Sequence, residues 1–268
     1  MTTDPYFRLD ITGHIARLTL NRPDQRNAMD LRFFDTLKAH FEALDADPKV
    51  RVVVLDAEGK SFTAGLDLAA AGGLLSNPGA DGREALRLKV LELQAALDAV
   101  EACRKPVIAA AHSHCIGAGV DLLCACDIRL ASEDAVFSIR ETRMAIIADL
   151  GTLQRLPHII GQGWFRELAL TGRDFKAQEA LQMGFVTRVL PDREALLEEA
   201  LNLAAEIAAL PPLTVQGVKD VANFSRDYGT VAGRQYVAQK NAAAIISEDI
   251  VEAVGAFMEK RQPNFKGK

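Results

Sequence analysis

The chain lacks the features that mark a membrane protein, a nucleic-acid binder or a disulfide scaffold. No basic region followed by an apolar core opens it at MTTDPYFRLDITGH, and no apolar run reaches membrane-spanning length. Basic residues are not in excess: 31 Lys and Arg stand against 36 Asp and Glu, a net charge of −5. That balance opposes binding to a phosphate backbone, which needs a basic face. The final residues, NFKGK, are not the peroxisomal address Ser-Lys-Leu. Together these absences predict a cytosolic protein with no membrane and no nucleic-acid partner. Cysteine is scarce, and Cys103, Cys115, Cys124 and Cys126 fit reduced core thiols better than a disulfide framework. His112 and His114 lie close to them, but Cys-x-x-Cys spacing is missing, so no metal is expected.

What is present is the material of a folded domain: 49% apolar residues, 25% charged, and 268 residues in all. At that length roughly three quarters of the unfolded surface can be buried. YFRLDITGHIARLTLNRP reads as two short strands turning at Gly13 and ended by Pro23. Asp30 then precedes Leu31, Phe34, Leu37, Phe41 and Leu44 at helical spacing, which predicts a capped amphipathic helix. VRVVVLDAEG is a β-branched run of the kind buried on both faces. SNPGADGRE marks a surface loop or lid, and residues 84–102 a second long helix. KPVIAAAH is another buried strand, GAGVDLLCAC a small-residue helix entered through glycine, and DIRLASEDAVF a pair of short strands. FKAQEALQMGFVTRVLP supplies a helix, its Gly184 stop and a last strand. The strand-strand-helix unit recurs at irregular spacing, which excludes a solenoid of short repeats. From about residue 193 the pattern is helical, and its apolar stripes suit either a core or another subunit. The expected organisation is therefore α/β, with a core over 1–195 and a helical region over 196–268.

Two loops run from a buried strand through glycine into a helix: SFTAGLDL at 61–68 and HCIGAGVDL at 114–122. Glycine lets backbone approach a ligand, and a helix N-terminus points free N–H groups and a positive dipole at it. Facing one another, such loops would make an oxyanion hole; either loop alone is better explained as a tight strand-to-helix turn. Neither is a dinucleotide-binding loop, because GAGVDL lacks the third glycine of Gly-x-Gly-x-x-Gly. A third stretch, ETRMAIIADLG at 141–151, sets Glu141 and Asp149 around apolar residues. Local sequence reads Asp149 as the N-cap of a helix opening at Leu150 or Gly151.

These residues resemble the crotonase, or enoyl-CoA hydratase and isomerase, family. The likeness runs through LTLNRPDQRNAMD, SFTAGLDL, CIGAGVDLLCACDIRLAS, EALQMGFVTRVLP and the terminal FMEKRQPNF. It implies a spiral of strand-strand-helix turns with a C-terminal helical region used for assembly into a homotrimer or homohexamer. It also implies an acyl-CoA thioester as substrate, with no cofactor beyond the CoA that the substrate carries. The thioester carbonyl would sit between the backbone N–H groups of Leu66 and Ala118, donors of a kind worth about 2.7–4 kcal/mol each in oxyanion holes. Many relatives carry glycine where Ala118 stands. The likeness further places the CoA adenine near Phe62, Thr63 and Ala64, and its phosphates near Arg22 or Arg26. Phe257 and Lys260 would contribute from the terminal helix.

Hydratases of this family use two glutamates twenty positions apart; here those positions hold Asp121 and Glu141. The shorter Asp121 retracts its carboxylate from where a water-activating base would stand. With Asp149 and the following GTLQRLP, the set instead resembles the Δ3,5-Δ2,4-dienoyl-CoA isomerases. That resemblance implies Glu141 as base at C2, Asp149 as acid at C6, and Asp121 as a group that tunes or orients them. A helix from 141 to 149 would hold the two carboxylates about 12 Å apart along its axis, so a loop or bend is expected there. The apolar residues between them would then line a pocket whose burial raises a carboxyl pKa, and the loop at 73–83 would set its depth. A hydratase or a Δ3-Δ2-enoyl-CoA isomerase, for which Glu141 alone shuttles a proton, is the enzymatic alternative. An acyl-CoA-binding protein without catalysis is the other.

Overall fold

The computed structural model describes residues 4–72, 77 and 79–268. Strands β1 (Phe7–Thr12) and β2 (Ile15–Leu20) form an antiparallel hairpin whose turn uses Gly13 at φ +58°. Helix α1 (Leu31–Ala46) follows, with Asp30 accepting the Phe33 N–H as its N-cap and Phe34, Leu37, Phe41 and Leu44 buried. After β3 (Val52–Ala57) come the short α2 (Leu68–Ala71) and the long α3 (Ala80–Ala102). Of the expected surface loop at 76–84, residues 76 and 78 lie outside the described residues and 80–84 instead form the first turn of α3; of the stretch at 73–83 expected to set pocket depth, 73–76 and 78 lie outside them.

Strands β4 (Val107–Ala111) and β5 (His114–Ile116) lead into α4 (Ala118–Ala125), and β6 (Ile128–Ser132) and β7 (Val136–Ser138) lead towards α5 (Thr152–Thr171). The chain continues through β8 (Asp174–Lys176), α6 (Ala177–Gln182) and β9 (Arg188–Leu190). Three helices close it: α7 (Arg193–Ala208), α8 (Pro212–Ala244) and α9 (Glu248–Glu259). The six-stranded sheet has the order β1-β2-β3-β4-β6-β9, parallel from β2 onward; the smaller sheet has the order β5-β7-β8. The units β4-β5-α4 and β6-β7-α5 thus give their first strand to the large sheet and their second to the small one, whereas β1 and β2 both lie in the large sheet. This is the mixed α/β fold of recurring units, with a helical C-terminal region, that the sequence predicts.

Burial on both faces of β3 follows from its composition. Val53 and Leu55 join the main core with α1, α3 and α4, while Val52 and Val54 face Leu196, Ala200, Ala204 and Ala208 of α7. Alternation along the strand sends successive side chains to opposite faces, so an all-apolar run needs cover on each. Helix α7 is that cover.

Helix α8 is not one rod. Gly229, at φ +83° and ψ 167°, reverses the chain. Phe224 stacks on Tyr236 with centroids 4.2 Å apart, and the Tyr236 hydroxyl donates to Asp220 at 2.7 Å. Lys219 fastens this helical hairpin to the core through Asp127 at 2.7 Å. Helix α9 carries large apolar side chains outward, among them Val251, Phe257 and Met258, with Phe257 86% exposed.

Candidate active site

The two glycine-entered loops are stitched together. Thr63 N–H donates to His114 O at 3.0 Å, and Ile116 N–H donates to Thr63 O at 3.3 Å. Gly65 sits at φ +85°, and a Cβ there would lie 2.4 Å from the Ile116 carbonyl oxygen and 3.6 Å from Ala118 N. Only glycine fits so close to another backbone at that φ. Leu66 lies between two bonded groups, the Gly65 carbonyl taken by Met29 N–H and the Asp67 N–H given to Met29 O. Its own N–H is therefore turned away from Met29. Ala118 opens α4 behind Gly117, where the N–H has no partner within the helix.

Glu141 reaches the same place from a 3-10 turn, Arg140–Met144, closed by Ala145 at φ +57°. Its Oε1 lies 3.2 Å from where a Gly117 Cβ would stand, and its Oε2 is buried with no hydrogen-bond partner among the described residues. Burial, then the neighbouring Asp121 and Asp149 charges, push its pKa up to about 7. Asp121 is buried on α4, and its Oδ1 accepts the Thr152 N–H at 2.7 Å. Burial raises Asp121 to about 6, against the opposing pull of the Thr152 bond. Asp149 is raised too, again by burial, although its residue surface remains largely exposed.

Two local expectations meet different fates. No regular structure spans 145–150, which supplies the bend that brings both ends of ETRMAIIADLG towards one site. The reading of Asp149 as a helix cap is corrected. Helix α5 opens at Thr152 behind Gly151, whose φ is +120°, and no side chain of its own cap bonds to it. Asp149 stands two residues before the cap, and the orphan Thr152 N–H is taken instead by Asp121 from a different helix. Between the two carboxylates Ala148 is buried, while Met144, Ile146 and Ile147 are exposed and do not enclose a pocket within one chain.

The other expected binding residues divide by exposure. Phe62 and Thr63 are fully buried; the Thr63 hydroxyl donates to Asn27 O and accepts the Gly65 N–H, so these side chains shape the loop. Ala64 is exposed and its N–H bonds to Arg26 O, which sets Arg26 at the same rim with its own side chain outward. Arg22 is committed elsewhere: it donates to Ala28 O and Asp30, and its guanidinium lies 4.9 Å from the Tyr6 ring centroid. Phe257 and Lys260 are exposed on α9 and its C-cap, and among the described residues no hydrogen bond or ion pair joins α9 to the glycine loops.

Three residues of the site's surroundings are not evident from sequence. Thr152 and Arg155 lie within GTLQRLP, but nothing local says that one meets Asp121 and the other α3. Gln94 on α3 donates to the Asp149 carbonyl at 2.6 Å. Arg155 is gripped by Asp98 at 2.5 Å and by Glu101 at 3.2 Å.

The family model described as enoyl-CoA hydratase/isomerase matches residues 10–268. A protein of Arabidopsis thaliana named peroxisomal Delta(3,5)-Delta(2,4)-dienoyl-CoA isomerase is 45% identical, over 99% of both chains. One of Dictyostelium discoideum, named as the mitochondrial form, is 43% identical over 99% of this chain and 93% of its own. Among solved structures, an enoyl-CoA hydratase from Bacillus anthracis superposes with a TM-score of 0.91 at 34% identity, covering 98% of this chain and 100% of its own. The relatives' compartments overturn the expectation of a cytosolic protein. That expectation rested on missing signals, and an absent address does not name a compartment. Matched along nearly its whole length, the chain belongs to the enoyl-CoA hydratase/isomerase family.

Proposed function

We propose that this protein isomerises 3,5-dienoyl-CoA to 2,4-dienoyl-CoA. The observation that carries the reading is Glu141: a half-buried carboxyl whose buried Oε2 has no hydrogen-bond partner among the described residues, against Gly117 and within electrostatic reach of Asp149. Full-length relatives named for this isomerisation support it.

In this reading the thioester oxygen accepts from Leu66 and Ala118 N–H groups, which stabilise the charge that develops on it. The Glu141 carboxylate takes the C2 proton, and the C2–H electron pair spreads through the C3=C4 and C5=C6 double bonds and the carbonyl. Asp149 gives its proton to C6, leaving double bonds at C2=C3 and C4=C5. No atom is gained or lost. Glu141 then holds a proton and Asp149 lacks one, and exchange with solvent resets the pair. A base with a pKa near 7 is matched to neutral pH. Asp121 touches no substrate; its charge keeps Glu141 basic. Because its Oδ1 is engaged by Thr152, it is a poor candidate for activating water, which disfavours hydration. Ala64 and Arg26 offer the exposed rim for CoA. The outward apolar face of α8 and α9 suits assembly into a homotrimer or homohexamer.

The direct test is spectroscopic. Purified protein given a 3,5-dienoyl-CoA is expected to generate the absorbance of a conjugated 2,4-dienoyl thioester. Absence of that signal, together with hydration of crotonyl-CoA, overturns the reading.

A further inference from the structure

An acid that must reach C6 while a separate base works at C2 has to be held closely, and Asp149 stands on irregular backbone. Displacement by about 1 Å can cost a hundredfold in rate. What fixes this loop lies behind it. Gln94 donates its side-chain amide to the carbonyl of Asp149 itself, at 2.6 Å. Two residues on, the Arg155 guanidinium fills the space a Gly151 side chain would need, its Nη1 only 1.9 Å from the Cβ position, and lies 3.4 Å from the Leu150 carbonyl. Arg155 is in turn gripped by Asp98 and Glu101. Gln94, Asp98 and Glu101 follow one another at intervals of four and three along α3, which puts them on one face of that helix.

We infer that this face of α3 is a bracket for the catalytic loop, with Gln94 and Arg155 as positioning residues that aim Asp149 at C6. Neither touches the reacting atoms; both act through the backbone of 149–151. The bracket serves one of the two proton transfers and not the other, because Glu141 is carried by its own 3-10 turn beside Gly117. The inference rests on the isomerase reading above.

That asymmetry makes it testable. Gln94→Ala removes the amide at a half-buried helical position where alanine is well tolerated. With 3,5-dienoyl-CoA in deuterated water, two rates are followed: deuterium entering C2 of the recovered substrate, and formation of the 2,4-dienoyl product. Gln94→Ala is expected to keep C2 exchange and KM within about threefold of wild type while kcat for product falls about ten- to a hundredfold. Gln94→Glu, which sets a carboxylate against the carbonyl, is expected to fall at least as far. Equal loss of exchange and product formation in Gln94→Ala, with an unchanged melting temperature, overturns the bracket, as does wild-type product formation in both variants. Asp149→Asn serves as comparator: exchange without product is expected. Wild-type turnover there overturns the acid role of Asp149, and the bracket with it, whereas absence of 2,4-dienoyl product from the wild-type protein overturns the isomerase reading itself.

Discussion

The Asp121 carboxylate on α4 accepts the first free N–H of α5, that of Thr152, at 2.7 Å. One buried oxygen thereby closes a helix end that has no cap of its own, and places a negative charge beside Glu141.

The pH dependence of turnover is expected to follow from that charge. Glu141 has to be ionised to take the C2 proton, so kcat/KM should rise with pH through about 7. Asp121→Asn keeps an oxygen for Thr152 and deletes the charge that disfavours ionisation of Glu141. The acid limb should then move to lower pH. A limb that stays near 7 in the variant shows that Asp121 does not tune the base.

Stability should carry the opposite mark. A Glu141 pKa raised from 4.5 to about 7 means that the folded state holds a proton the unfolded state has lost across that interval. Stability is therefore lost as pH rises from about 4.5 to about 7. Glu141→Gln removes this loss, and above pH 7 the variant should be more stable by on the order of 1–2 kcal/mol. Below pH 4.5 the difference should vanish. Thermal unfolding at pH 4 and pH 8 tests both limits, and an equal offset at the two values contradicts the assignment.

Gly65→Ala is expected to fail for steric reasons. At φ +85° an L side chain is strained, and its Cβ would meet the Ile116 carbonyl oxygen at 2.4 Å. A cost of about 2–4 kcal/mol is expected, together with loss of turnover as the two loops part. Melting temperature and activity near wild type would show that the loops need not touch.

Assembly should depend on the outward face of α9. Phe257→Asp puts a charge where 86% of an apolar side chain is now exposed. Light scattering after size exclusion is expected to give a trimer or hexamer for the wild type and smaller species for the variant. A monomeric wild type removes the assembly proposal.

Much of this protein is legible in its sequence, because the signals concerned are local. The Asp30 cap and apolar spacing of α1, the two-faced burial of β3 and the glycine entries at Gly65 and Gly117 all follow from residues within a few positions. The three-residue strands β5 and β8 leave no periodicity to read. Nor does local chemistry reveal which residues meet across the fold. Asp149 has the right residue type to cap a helix next to it, yet the cap comes from Asp121, 31 positions from Thr152. Gln94 looks like any helical surface residue until the fold brings it to a carbonyl 55 positions away.

The reversal at Gly229 bears on how the chain folds. Contacts across that hairpin, such as Tyr236 with Asp220, span 16 residues. The parallel pairing of β3 with β4, by contrast, must bring Val53 to Val107 across the whole of α3. Short closures cost less entropy and form sooner than long ones. The hairpin is thus expected to gain structure while the sheet is still searching for its register. Pulsed hydrogen exchange during refolding should find amides near 220–240 protected before those of 52–57.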